Sequence, residues 1–128
     1  MNIKCFLVEY VDGEWMRPDT GEVFTGLNQY HLPVGAIYRR DEMEQFPEYC
    51  GTDGKSYTVI TPGGEWMIDS RASNCTRKDD KTHKCWCRHG EAPNFTVDKI
   101  GNTCNAGAGS ILIGGYHGFL RNGFLVPA

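Results

Sequence analysis

Nothing in this sequence comes near the roughly 20 consecutive apolar residues that span a bilayer. Apolar stretches such as residues 111–113 and 124–126 are far shorter, so no membrane helix is expected. Positive charge is also scarce. Thirteen Lys and Arg stand against sixteen Asp and Glu, leaving a formal charge of -3 and a pI near 5.8. Such a surface is not drawn as a whole to a polyanion, which argues against generic nucleic-acid binding. Long helical tracts are missing too, because 16 glycines and 6 prolines punctuate 128 residues and exclude a helical bundle or coiled coil. The amino-terminal residues, with Lys4 and then Glu9, offer neither the uncharged core of about 7 to 15 residues nor the small-residue cleavage site of a secretory signal. The expected location is therefore the cytoplasm. In that reducing compartment the six cysteines read as thiols or metal ligands before they read as a disulfide framework.

What is present is an ordinary soluble composition, 40% hydrophobic and 12% aromatic, enough for one compact domain over residues 1–128. Residues 3–11 alternate like a half-buried strand, and Asp12-Gly13 turns the chain back through Glu14-Trp15-Met16. A second hairpin runs through residues 56–61, turns at Pro62-Gly63-Gly64 and returns through residues 65–68. Gly-Glu-Trp-Met stands after both turns, which we read as reused turn chemistry and not as a repeat. Residues 38–46 look like two turns of helix ending ahead of Pro47. Residues 70–84 are polar and read as an exposed loop, followed by strands at 84–89, 95–97 and 110–113. A connecting turn over residues 114–118 leads to a closing hairpin at Asn122-Gly123, a type I′ pair. The expected fold is mainly β, α+β at most: a small antiparallel β barrel or sandwich built of hairpins, with one short helix. Trp15, Trp66, Met16, Met67 and Phe119 are its candidate core.

The densest chemistry is in residues 83–89, where His83, Cys85, Cys87 and His89 fall at every second position. On a straight strand all four would share a face, yet at about 3.3 Å per residue the outer two stand about 20 Å apart, too far to share one zinc ion. At most two neighbours chelate, and Cys75, Cys104 or His117 would supply the rest. The spacing is not that of a C-x2-C zinc ribbon.

A second constellation is the glycine-rich tract at residues 101–110, followed by residues 114–118. Backbone N–H groups of Gly107, Gly109 and Ser110 could form an anion nest, with His117, Arg121 and Arg88 as charged donors and Tyr116 or Trp86 as a stacking face for a planar base. This would suit a nucleotide-like ligand. The tract is not a phosphate-binding Walker loop, since it lacks the Gly-Lys-Ser/Thr ending and leads into a strand. It reads equally as a loop needing close backbone packing. A Cys–His hydrolase can also be assembled from Cys75 or Cys104, His83 or His117, and Asp69 or Asp98, but no local signature selects a combination.

The carboxyl-terminal half carries Thr61-Pro62-Gly63-Gly64-x-Trp66-x-Ile68-Asp69, Ser73-Asn74-Cys75, His83-x-Cys85-Trp86-x-Arg88-His89-Gly90, Thr96-Val97-Asp98-Lys99, residues 106–111 and residues 115–123. In these motifs, over about residues 55 to 125, the chain resembles a family of small, uncharacterised phage and prophage proteins. The resemblance implies a viral accessory protein acting in a bacterial cytoplasm and carries over no site residues. Joined to the glycine nest, it leads to the expectation of a non-enzymatic module, pairing as a homo-oligomer, that counters host defence by sequestering an anionic, nucleotide-like signal. The alternatives are a structural or protein-interaction module stapled by zinc through some of Cys75, His83, Cys85, Cys87, Cys104 and His117, and a small Cys/His hydrolase.

Overall fold

The computed structural model describes residues 1–71, 75–100 and 110–128, and within them the chain is mainly β. In chain order the strands are β1 (Ile3–Lys4), β2 (Phe6–Leu7), β3 (Glu9–Val11), β4 (Glu14–Met16), β5 (Val23–Phe24), β6 (Ala36–Arg39) and β7 (Tyr57–Thr61). They continue as β8 (Gly64–Met67), β9 (Cys87–His89), β10 (Thr96–Asp98), β11 (Ile111–Ile113), β12 (Tyr116–Arg121) and β13 (Phe124–Pro127). Helical geometry among the described residues is limited to three 3-10 turns, Gln29–His31, Asp41–Met43 and Pro47–Tyr49. None of it is long and apolar enough to cross a membrane.

The strands form three sheets. One runs β1-β13-β12-β10-β9 with β11 also on β12, the second β2-β6-β7-β8, and the third β3-β4-β5. All pairings are antiparallel except β2 with β6, which is parallel. Local turn chemistry sets the hairpins. Asp12-Gly13 (φ 51° and 82°) and Asn122-Gly123 (φ 48° and 79°) hold the paired positive dihedrals of type I′ turns, joining β3 to β4 and β12 to β13. Gly114-Gly115 (φ 50° and 85°) closes a further two-residue turn between β11 and β12. The connecting turn expected over residues 114–118 is therefore shorter, because two consecutive glycines suffice to reverse the chain and Tyr116 already pairs with Ile113.

Two other expectations are corrected. Residues 38–46 hold no two-turn helix: Tyr38 and Arg39 belong to β6, which pairs with both β2 and β7, and only a 3-10 turn follows. Sheet pairing overrides the helical appearance of the charged run. Residues 3–11 are not one strand but three, each in a different sheet: Ile3 pairs with Leu125, Phe6 with Ala36, and Tyr10 with Trp15.

The middle sheet is apolar on both faces, which is why Tyr57–Thr61 is almost continuously buried. Its Ile37 and Val59 join Val97, Ile111, Leu120 and Leu125 in one core, which also holds Ile68, Phe95 and Trp86. Its Ala36, Tyr38 and Ile60 join Val8, Trp15 and Leu32 in a second core. The expectation that Trp15 and Trp66 serve the interior holds, Trp15 within the second core and Trp66 packed against the first. The two-layer contact is fixed where the β7–β8 turn meets the β11–β12 turn. A Cβ on Gly63 would collide with the Ile113 carbonyl oxygen, so only glycine lets these backbones approach.

Candidate metal centre

Between β8 and β9 the described residues, 68–71 and 75–86, form no strand or helix. Ile68 is fully buried, and its N–H donates to the Tyr57 carbonyl at 2.9 Å, prolonging the sheet by one bond. Asp69 then turns inward. Its carboxylate accepts from the Tyr57 N–H at 3.1 Å and from Arg88 Nε at 3.1 and 3.2 Å. Arg88 stands on β9, so this pair fastens the two ends of the irregular segment together. The guanidinium also donates to both Asp53 oxygens at 2.9 and 3.1 Å and to the Lys55 carbonyl at 3.0 Å, and lies over the rings of Tyr57 and Phe95. Burial pushes the Asp69 carboxyl up, against the pull of Arg88.

Within the segment, Arg71 donates to the carbonyls of Arg77, Lys78 and Asp80, drawing residues 77–80 into a curl around its side chain. The Asp80 carboxylate caps the next turn, accepting from the Thr82 N–H at 2.9 Å and the Thr82 hydroxyl at 2.8 Å. Further on, Lys99 Nζ donates to the Cys85 carbonyl at 2.7 Å and sits over the Trp86 ring. Trp86 meets Trp66 edge-on at 5.2 Å. The backbone bends at Cys85 and Trp86, where these contacts are made, before β9 begins.

The bend brings three donors to one point. Cys75 Sγ lies 3.0 Å and Cys85 Sγ 4.0 Å from the same His83 Nε2, and all three ligand atoms lie within 4.8 Å of one another. Tetrahedral zinc, with Zn–S of about 2.3 Å and Zn–N of about 2.0 to 2.1 Å, requires sulfur and nitrogen ligands about 3.6 Å apart. The two observed separations straddle that value. All three side chains are buried, to 7%, 3% and 1% exposure. The Arg77 N–H donates to Cys75 Sγ at 3.4 Å, the kind of backbone donor that stabilises a thiolate. Burial, reinforced by the positive charge of Arg71, holds the His83 pKa below the usual histidine value, so the imidazole is neutral and able to ligate. Cys75 also borders a surface cleft of about 370 Å³ lined with Glu48, Tyr49, Arg71 and Lys78.

Sequence spacing named these three residues, two neighbours of the run and Cys75, but placed them on a strand and an exposed loop. Residues 84–86 are not part of a strand, and the loop over residues 70–84 is not simply exposed, since Cys75 and His83 are interior. His83 and Cys85 are the two neighbours of the run that meet, and Cys75 joins them from outside it. Cys87 lies on β9 opposite Asp98, and His89 is exposed with Nε2 2.9 Å from Asp98, so neither belongs to the triad. Cys104 lies outside the described residues. The other cysteines differ in kind: Cys5 is deep in the first core, where burial pushes its thiol up to about 12.

The nucleotide-type constellation is only partly assembled. Gly107 and Gly109 lie outside the described residues. Ser110 Oγ and His117 Nε2 meet at 3.1 Å, and His117 and Arg121 share the exposed face of β12. Phe119 stands between them, and the Arg121 guanidinium lies 4.1 Å above its ring. Tyr116 points to the opposite, buried face, Trp86 is packed against Trp66, and Arg88 is engaged by Asp69 and Asp53. The Asp69–Arg88 clamp had no sequence signal beyond its residue types, because its members are joined only by the fold. Comparison with protein-family models, with curated proteins and with solved structures returned no match for this chain.

Proposed function

We propose that the chain is a zinc-stapled β module in which Cys75, His83 and Cys85 supply three of the four ligands of one zinc ion that holds the connection between β8 and β9 on the sheets. The observation that carries this reading is the convergence of two buried thiols on a single imidazole nitrogen. A catalytic cysteine needs one thiol, and a histidine oriented by an acid on its other nitrogen. Here His83 Nδ1 has no hydrogen-bond partner among the described residues. The ion's part is structural: it neutralises two thiolates and replaces the hydrophobic packing that a polar segment cannot supply. In keeping with the phage resemblance, the module serves as a viral accessory protein that binds and does not turn over.

Elemental analysis of protein purified without added metal tests this. It should give close to one zinc per chain, and Cys75→Ser and His83→Ala should each abolish it. Chelation should lower the melting temperature sharply. Metal-free protein whose melting ignores chelator would overturn the reading, and selective alkylation of Cys75 with loss of a hydrolytic activity would replace it with the nucleophile.

A second reading, capture of an anionic nucleotide-like ligand, rests on the exposed Ser110–His117 contact and Arg121 on the same face. Calorimetry with linear and cyclic nucleotides tests it. Binding that His117→Ala and Arg121→Ala each weaken without loss of stability supports it, and the absence of heat with every nucleotide ends it.

A further inference from the structure

The other side of the middle sheet carries a cleft unrelated to the metal centre. It has a volume of about 400 Å³ and opens between the β3–β4 hairpin, the connection around Leu27 and the start of the Asp41–Met43 turn. Three aromatic rings form its wall in series. Tyr10 meets Trp15 edge-on at 5.2 Å, and Trp15 meets Tyr38 edge-on at 5.2 Å. Trp15 and Tyr38 are anchored in the second core, whereas Tyr10 is 63% exposed yet held against Trp15. An adjoining cleft of about 290 Å³ shares Tyr10, Trp15 and Asp41 and adds Glu9.

The charges at this wall are one-sided. Arg39 lines the cleft but gives two hydrogen bonds of 2.6 Å to Glu44, and Arg40 is held by Glu42 and Glu65. The cations are thus neutralised by the protein's own carboxylates. Glu9 and Asp41 make no ion pair among the described residues, and Arg39, which feels the charge of Asp41, is hydrogen-bonded to Glu44, so the rim is net negative beside the exposed Tyr10 ring and the edge of the largely buried Trp15.

We propose that this cleft binds a small organic cation, an alkylammonium compound whose charged head lies against the Tyr10–Trp15 wall and is neutralised by Asp41. Aromatic faces attract a cation through their quadrupole, most strongly when the cation is a weakly hydrated ammonium, and a carboxylate at the rim supplies the counter-charge. The same carboxylates repel phosphates and nucleotides. A neutral sugar would find stacking surface but nothing to balance Glu9 and Asp41. The volume falls at the small end of ligand pockets, which suits a compound of few heavy atoms. The inference does not depend on the zinc reading, since no cleft residue touches the triad.

The test is an NMR titration of the intact, metal-replete protein, following the Trp15 indole N–H. The probes are choline and tetramethylammonium, the neutral isostere 3,3-dimethylbutanol, glucose and AMP. Both ammonium compounds should give saturable shifts at Trp15, and the isostere should bind about tenfold more weakly, the loss expected when a cation–π contact is removed. Asp41→Asn and Tyr10→Ala should each weaken choline by a similar factor with the melting temperature unchanged, because both side chains are exposed. Equal binding of choline and its neutral isostere would overturn the proposal by reducing the cleft to a plain apolar pocket. Absence of saturable shifts with either ammonium compound, or preference for glucose or AMP, would overturn it as well. The isostere comparison uses the unaltered chain and so stands even if a variant fails to fold.

Discussion

Two connections serve the two cores flanking the middle sheet, the one before β6 and the one before β9, and their described residues depart from the usual inside–outside order in opposite senses. The later one buries what is normally exposed: Asp69 and His83 are interior, beside Cys75 and Cys85. The earlier one, with its flanking strand β5, exposes what is normally buried, namely Val23, Leu27, Tyr30 and Val34. A buried polar group persists only where something compensates it, and an exposed apolar one gives up burial free energy unless it is covered or used. The first anomaly points inward, to the Cys75–His83–Cys85 triad and an ion pair. The second points outward, to a wall of the aromatic cleft, which Leu27 lines.

Loss of the proposed ion should be the most damaging way to break the contrast. The double variant Cys75→Ala/Cys85→Ala should lose zinc and unfold residues 68–86 first, seen as new amide exchange there while β6 and β7 stay protected. Uniform exchange across all three sheets would show instead that the ion is not confined to that connection. Next in size is Arg88→Met, which leaves Asp69 buried without its counter-charge. It should cost about 3 to 5 kcal/mol by urea unfolding, whereas joint replacement of Asp69 and Arg88 by apolar residues should recover much of that loss. Gly63→Ala, which touches neither connection, should cost about 1 to 3 kcal/mol through the collision with Ile113 and leave the zinc content unchanged.

Acid gives a smaller effect with a defined sign. Hydrogen bonds from Arg88 hold the Asp53 carboxyl below the ordinary carboxylate range. The unfolded chain therefore binds that proton more tightly than the folded one. The stabilisation is present above pH about 4 and is lost as pH falls through the depressed folded value. Asp53→Asn should flatten the fall in urea midpoint below that pH, and an unchanged pH profile would discount the pair. Smallest of all, Leu27→Ser in the outward-facing connection should stay within about 0.5 kcal/mol of the parent in thermal unfolding. A larger loss would mean that Leu27 is part of the interior after all.

Which features could be read from the sequence follows from how local their causes are. The hairpins at Asp12-Gly13 and Asn122-Gly123 were legible because two adjacent residues dictate each turn. The split of residues 3–11 was not, since pairing Ile3 with Leu125 and Phe6 with Ala36 depends on distant strands. At Tyr38 and Arg39 a charged run imitated a helix, and the strand appears only when β2 and β7 lie alongside. For the metal centre the residue types were visible and the geometry was not. Period-two spacing argued against chelation by more than two neighbours. Lys99 on the Cys85 carbonyl and Arg71 on residues 77–80 impose a curvature that no local pattern of residues 83–89 announces.

The threading of residues 3–11 through all three sheets also bears on how the molecule acquires its structure. The Ile3–Leu125 pairing closes a loop of nearly the whole chain, and the Cys5 N–H donates to the Gly123 carbonyl at 2.8 Å. During synthesis β1 must wait for β13. The hairpins β3–β4 and β7–β8 can form as they emerge, but β1 has no partner until β13 has left the ribosome. Contacts of such wide sequence separation slow folding, because loop-closure entropy is lost before the pairing returns any stability. β1 thus acts as a late seam. Pieces that assemble separately are joined by it in the final step, and a nascent chain stalled before residue 124 would hold β1 exposed as an unpaired edge.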